Sequence, residues 1–137
     1  MIHLTRRYRF AAAHRLHARE LSAEANREVY GKCNNPYGHG HNYALEVTVA
    51  GEPSADGRVV DPRRLDTLVE DQVLRPMSHR DLNREVAEFE SLVPTTENLA
   101  VVIARRLEEA WQGAPPIHKI RLEETANNSF ELILRNL

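Results

Sequence analysis

Seven histidines and one cysteine carry most of the metal-ligating chemistry of this 137-residue protein. His39 and His41 lie at i and i+2 within Lys32-Cys33-Asn34-Asn35-Pro36-Tyr37-Gly38-His39-Gly40-His41-Asn42-Tyr43. Residues two apart in a strand share a face, so this pair forms a two-toothed clamp for a metal ion. A third imidazole and an open coordination position complete a catalytic zinc site, where the ion acts as a Lewis acid on an oxygen. His14 is the candidate third ligand, because it ends an alternating run of Ile2, Leu4, Tyr8, Phe10 and Ala12 interrupted by Arg6. The competing arrangement is a closed structural site of three histidines and Cys33. His3, His17 and His118 read as ordinary, partly buried strand or loop side chains.

These ligands need two strands to position them. The first is expected over residues 2–14, and the second starts at His39 and runs through Tyr43, Leu45, Val47 and Val49. Two strands joined by one connection pair antiparallel, which brings the end of the first beside the start of the second. Residues 15–38 read as a long polar connection, a length that within a domain usually signals function. Asp61-Pro62 opens a helix over about 62–75 that Pro76 should stop. A second helix begins near Thr95-Thr96-Glu97, with a stripe of Leu99, Val102, Ile103, Leu107 and Trp111 and with Gly113 just past its end. Strands Ile117–Thr125 and Ser129–Arg135 close the sequence. The expectation is one α+β domain over 1–137, order ββααββ, with two helices on one face of an antiparallel four-stranded sheet. Its open edges favour closure by oligomerisation.

Bulk properties narrow the function. Hydrophobic content of 42% and charged content of 28% suit an ordinary soluble globule. A formal charge of −2 gives no electrostatic case for nucleic acid or an anionic membrane surface. A single cysteine forms no internal disulfide, no long apolar run is present, and the expected location is cytoplasmic.

Four motifs stand in order: Phe10-Ala11-Ala12-Ala13-His14-Arg15-Leu16, Cys33-Asn34-Asn35-Pro36 with Gly38-His39-Gly40-His41-Asn42-Tyr43, Pro94-Thr95-Thr96-Glu97-Asn98, and Glu124-Thr125 with Asn127-Asn128. Together they resemble the 6-pyruvoyl-tetrahydropterin synthase family, which also includes the 6-carboxytetrahydropterin synthases of queuosine biosynthesis. The resemblance implies a tunnelling fold (T-fold), in which trimers close a β-barrel and two trimers stack into a hexamer with interfacial active sites. It implies a pterin triphosphate substrate, 7,8-dihydroneopterin triphosphate, and Zn²⁺ held by His14, His39 and His41. It makes Cys33 the catalytic base and places His79 in the proton-transfer set. It assigns Glu124 to the pterin's 2-amino and N3 donors, assisted by Thr95, Thr96 and Glu97. Arg15, Lys32 and Arg80 are the nearby basic candidates for the triphosphate.

One departure stands out. The family usually has aspartate directly before the histidine of its catalytic pair, whereas this protein has Ser78. Serine hydrogen-bonds but supplies no charge to stabilise an imidazolium. Asp81 is a possible substitute, and Asn83 stands where the family often has a second acid. The six-residue step from Cys33 to His39 resembles the pyruvoyl-forming type. The alternatives are a 6-carboxytetrahydropterin synthase and a catalytically weak pterin-binding oligomer.

Overall fold

The computed structural model describes residues 1–135. Strand β1 (Ile2–His14) pairs antiparallel with β2 (His39–Gly51), with His14 opposite His39 and Ala12 opposite His41. Both expected strand ends are therefore found, and they meet as the alternation required. Strand β4 (Ile117–Thr125) follows β2, and β5 (Asn128–Ile133) follows β4, both antiparallel. A two-residue strand β3 (Arg80–Asp81) adds itself parallel to the other side of β1. The sheet thus has five strands in the order β3-β1-β2-β4-β5, rather than four. A strand of two residues has no alternation by which a sequence could announce it.

Three further elements differ from expectation. The 15–38 connection contains helix α1 (Ala23–Tyr30) and a 3₁₀ turn over Gly31–Asn34. Helix α1 buries only Asn26, so it carries no apolar stripe. Helix α2 (Pro62–Val69) continues through a π turn at Glu70–Leu74 into α3 (Arg75–Met77), so Pro76 does not stop it. A proline lacks the N–H that should bond the carbonyl four residues back. Here that carbonyl, Gln72 O, accepts from Arg106 Nη1 at 3.3 Å. A short helix α4 (Leu82–Glu85) precedes the long helix α5 (Thr96–Ala110), which ends at Trp111 with an extended backbone rather than at Gly113.

Helices α2 and α5 cover one face of the sheet. Phe10, Tyr43, Leu45, Val47, Ile120 and Leu122 pack there against Leu65, Val69, Leu99 and Ile103. Full burial of each aliphatic residue stabilises the fold by about 1.5–3 kcal/mol, which fixes the register tightly. The opposite face is polar: Arg7 pairs with Glu46 at 3.4 Å and Glu123 at 3.0 Å, and Arg121 with Glu46 at 2.8 Å. Across the described residues, no helix is long and apolar enough to cross a membrane.

Candidate active site

The ends of β1 and β2 bring His14, His39 and His41 together on the helix-covered face, and the 3₁₀ turn adds Cys33. One ligand atom from each of these four residues lies within 4.8 Å of every other. The rings of His39 and His41 are 4.4 Å apart between centroids, and those of His14 and His41 are 4.6 Å apart. Cys33 Sγ lies 2.9 Å from His39 Nε2. The turn is held in place by its backbone, since Leu16 N donates to Cys33 O at 2.6 Å.

His14 is 1% exposed, and its Nδ1–H donates to the Pro94 carbonyl at 2.9 Å. That bond selects the tautomer whose Nε2 carries the lone pair, the usual device for orienting a ligating histidine. Burial pulls the His14 pKa down to about 4, so the ring is neutral near neutrality and able to coordinate. His41 is lowered too, chiefly by burial. Nε2 of both His14 and His41 is buried with no hydrogen-bond partner. Buried polar atoms are normally satisfied, and two unpartnered imidazole nitrogens within one cluster are atoms that a bound cation would satisfy. Nitrogen and sulfur donors in this number fit zinc, so the residues present suit the implied ion.

Glu124 on β4 stands 3.4 Å from His41 Nε2 with both side groups mostly buried, although the approach is not a hydrogen bond. It is no free surface acid: its charge also acts on Cys33 and Tyr43. Without a cation, burial and then the Glu124 carboxylate push the Cys33 thiol up.

The Pro94–Glu97 motif sits at the N-terminus of α5. Thr95 is the cap, its Oγ1 accepting from Asn98 N at 3.2 Å. Thr96 is 3% exposed, and its Oγ1 is buried with no partner. Glu97 lies exposed in the first turn. Sequence reasoning misses Pro94 as the acceptor for His14. A proline ahead of a helix cap carries no signal that its carbonyl faces a candidate metal ligand.

His79 is exposed and lies outside the four-residue cluster, lining a separate hollow with His41, Gly40 and Ala11–Ala13. Its backbone is left-handed at φ 61°, and its N–H donates to Ala11 O at 2.6 Å. Asp81 is engaged elsewhere, capping α4 through Asn83 N at 3.0 Å and lying 3.8 Å from Arg84. Asn83 clamps the residue after His14 from both sides. Its Oδ1 accepts from Arg15 N at 2.7 Å, and its Nδ2 donates to Arg15 O at 2.9 Å. A carboxylate there would accept but not donate.

The model of the 6-pyruvoyl tetrahydropterin synthase family matches residues 3–133. The protein is 46% identical over 127 residues to 6-pyruvoyl tetrahydrobiopterin synthase of Poecilia reticulata, covering 92% of its own length and 86% of that protein. It is 41% identical over 126 residues to the human protein of that name, covering 91% and 86%. The solved structure of Caenorhabditis elegans 6-pyruvoyl tetrahydropterin synthase superposes with a TM-score of 0.91 at 37% identity, covering 96% of this protein and 94% of that one.

Proposed function

The protein belongs to the 6-pyruvoyl tetrahydropterin synthase family, and from that premise we propose that it is a zinc-dependent carbon–oxygen lyase. Its substrate is 7,8-dihydroneopterin triphosphate, and its products are 6-pyruvoyl-tetrahydropterin and triphosphate. The observation that carries this reading is the convergence of His14, His39, His41 and Cys33 within 4.8 Å at matched strand ends, with two orphaned nitrogens.

His14, His39 and His41 would hold the ion, and Cys33 would stay free beside them as the base. Zinc bound there supplies Lewis acidity toward the hydroxyls of the substrate's polyol arm and positive charge next to the thiol. Cys33, released as a thiolate, takes a proton from a carbon of that arm whose neighbouring oxygen is polarised. Glu124 accepts the paired N–H donors of the pterin in the manner of a carboxylate receiving a guanidinium. An Nε2 of His41 committed to a ligand does not compete for that carboxylate. Thr96 Oγ1 and the free N–H groups of the α5 N-terminus offer further polar contacts to the ring, with Thr95 and Glu97 in the same turn. His79 completes the proton-transfer set.

The reading extends to assembly as a homohexamer of two trimers with interfacial active sites. Its support is the unpaired edge of β5 and the exposure of His79 away from its own Cys33 cluster. Incubation of the zinc-loaded protein with dihydroneopterin triphosphate, with Cys33→Ala as control, tests the activity. Triphosphate release with all three carbons of the arm retained is the expected result. Acetaldehyde release identifies a 6-carboxytetrahydropterin synthase, and absence of turnover by the wild type refutes the lyase reading.

A further inference from the structure

Beside His39 a cleft opens whose lining includes neither Glu124 nor Cys33. Arg15, His17, Arg27, Lys32, Asn35 and His39 are among its walls, and no carboxylate lines it. Elsewhere the arginines are mostly committed to acids: Arg6 to Asp66, Arg58 to Asp56, Arg63 to Asp61 and Arg106 to Glu88. Among the described residues, Arg15, Arg27 and Lys32 have no carboxylate within ion-pairing distance. Three cations without a carboxylate partner around one concavity create a local positive potential.

The cations are mounted on a braced loop. Asn26 Nδ2 donates to Ala18 O at 3.0 Å and Ser22 O at 3.0 Å, and Asn34 Nδ2 donates to Leu16 O at 2.7 Å. Arg15 is itself tied down, its Nε donating to Asn34 O at 3.3 Å. A loop ordered before a ligand arrives loses less entropy on binding. Arg80, a basic candidate from sequence, drops out: it pairs with Glu85 at 3.4 Å and lines the hollow beside β3 instead.

Neighbour by neighbour, Glu124 lies 3.4 Å from His41, His41 packs on His39 at 4.4 Å between ring centroids, and His39 lines the cleft. A pterin triphosphate has the same order, with N–H donors at one end, a short polyol in the middle and a polyanion at the other. We infer that this cleft seats the triphosphate of the substrate, with Arg15, Arg27 and Lys32 on its oxygens, an assignment that rests on the substrate reading given above. It sets the direction in which the substrate lies and makes the 15–34 segment the selector for phosphorylated over dephosphorylated pterins.

The test uses the metal-loaded protein and the double variant R27Q/K32Q, whose substituted residues are exposed and hold no partner among the described residues. Neopterin triphosphate and neopterin are titrated by pterin fluorescence, and inorganic tripolyphosphate by calorimetry. Loss of two charge-assisted contacts should weaken neopterin triphosphate about ten- to hundredfold and leave neopterin unchanged. The wild-type preference for the triphosphate should shrink as salt rises. Tripolyphosphate binding that is equal in wild type and variant overturns the assignment, even if turnover of dihydroneopterin triphosphate is intact. Binding of tripolyphosphate that the variant loses, in a protein that binds neither pterin, upholds the cleft and refutes the substrate reading. R15Q separates a phosphate contact from bracing: it should lower triphosphate affinity, while loss of its one bond to Asn34 O lowers the melting temperature only slightly. A lowered melting temperature with unchanged affinity reduces Arg15 to bracing.

Discussion

Replacing Gly38 by alanine tests how rigidly the loop presents its ligands. Gly38 has φ 71°, and a Cβ built there would lie 2.9 Å from His14 O and 3.3 Å from His14 C. The left-handed backbone alone costs an alanine about 1 kcal/mol. The contact is with main-chain atoms on both sides, so relief requires moving β1 or the loop, a strain of about 1–3 kcal/mol. The sum, about 2–4 kcal/mol, corresponds to a fall in Tm of about 7–14 °C for a domain of this size. Two glycines isolate the parts. Gly57 has φ 82° with nothing within 4 Å, so G57A should show only the backbone cost, about 3–4 °C. Gly40 stands between the clamp histidines with Ala12 O as its nearest neighbour at 4.0 Å, so G40A should be close to neutral. Thermal unfolding of all three, with zinc affinity by competition against a chromogenic chelator, reads the result. G38A should also bind zinc at least about tenfold more weakly, because the displaced carbonyl belongs to a ligand residue. If G38A melts no lower than G57A and keeps its zinc affinity, the loop absorbs the methyl group and is not rigid.

Other outcomes follow from the same geometry. The folded-state pKa of His14, about 4, lies below the ordinary 6.5 because the ring is buried. The stability this represents is whole above pH 6.5 and is lost as pH falls toward 4, because protons bind the unfolded state first. Urea midpoints of the metal-free protein should therefore drop across that window, more steeply in wild type than in His14→Gln; parallel profiles would contradict the burial argument. With Co²⁺ in place of zinc, a base-only Cys33 gives no intense sulfur-to-metal band. Such a band in wild type that disappears in Cys33→Ala would make the cysteine a ligand, an outcome its 2.9 Å approach to His39 Nε2 keeps in play. Ser78→Asp should raise turnover or shift its pH optimum by supplying a charge beside His79, and an unaltered pH–rate profile would remove Ser78 from the mechanism. Arg106 Nε and Nη2 meet Glu88 at 2.7 and 2.6 Å while Nη1 satisfies Gln72 O. Arg106→Met should cost about 1–3 kcal/mol in urea unfolding, and a change below about 0.5 kcal/mol would show that water replaces these bonds freely.

The histidine cluster is legible in the sequence because it rests on the two most periodic stretches of the protein. Alternation ending at His14 and resuming at His39 determines both the pairing and the facing of the three histidines. What escapes is held by polar groups rather than by periodicity. Helix α1 is organised by buried Asn26 and shows no stripe. The helical backbone through Pro76 depends on Arg106, thirty residues downstream, reaching an orphaned carbonyl. Asn83 resembles a missing acid, yet its donor group is what the Arg15 backbone requires. His79 stands out by motif alone, and its left-handed backbone at an exposed edge is visible only in three dimensions.

The bond from His14 Nδ1 to Pro94 O joins two things that sequence keeps 80 residues apart. One is a proposed ion ligand, and the other is the peptide immediately before the Thr95–Thr96 cap. Any tightening of that turn by a bound ring must be felt at the imidazole, and any loss of the ion must be felt at the turn. Linkage makes the two effects equal in free energy. Metal and pterin should thus bind with positive cooperativity, each raising the other's affinity, through one shared hydrogen bond.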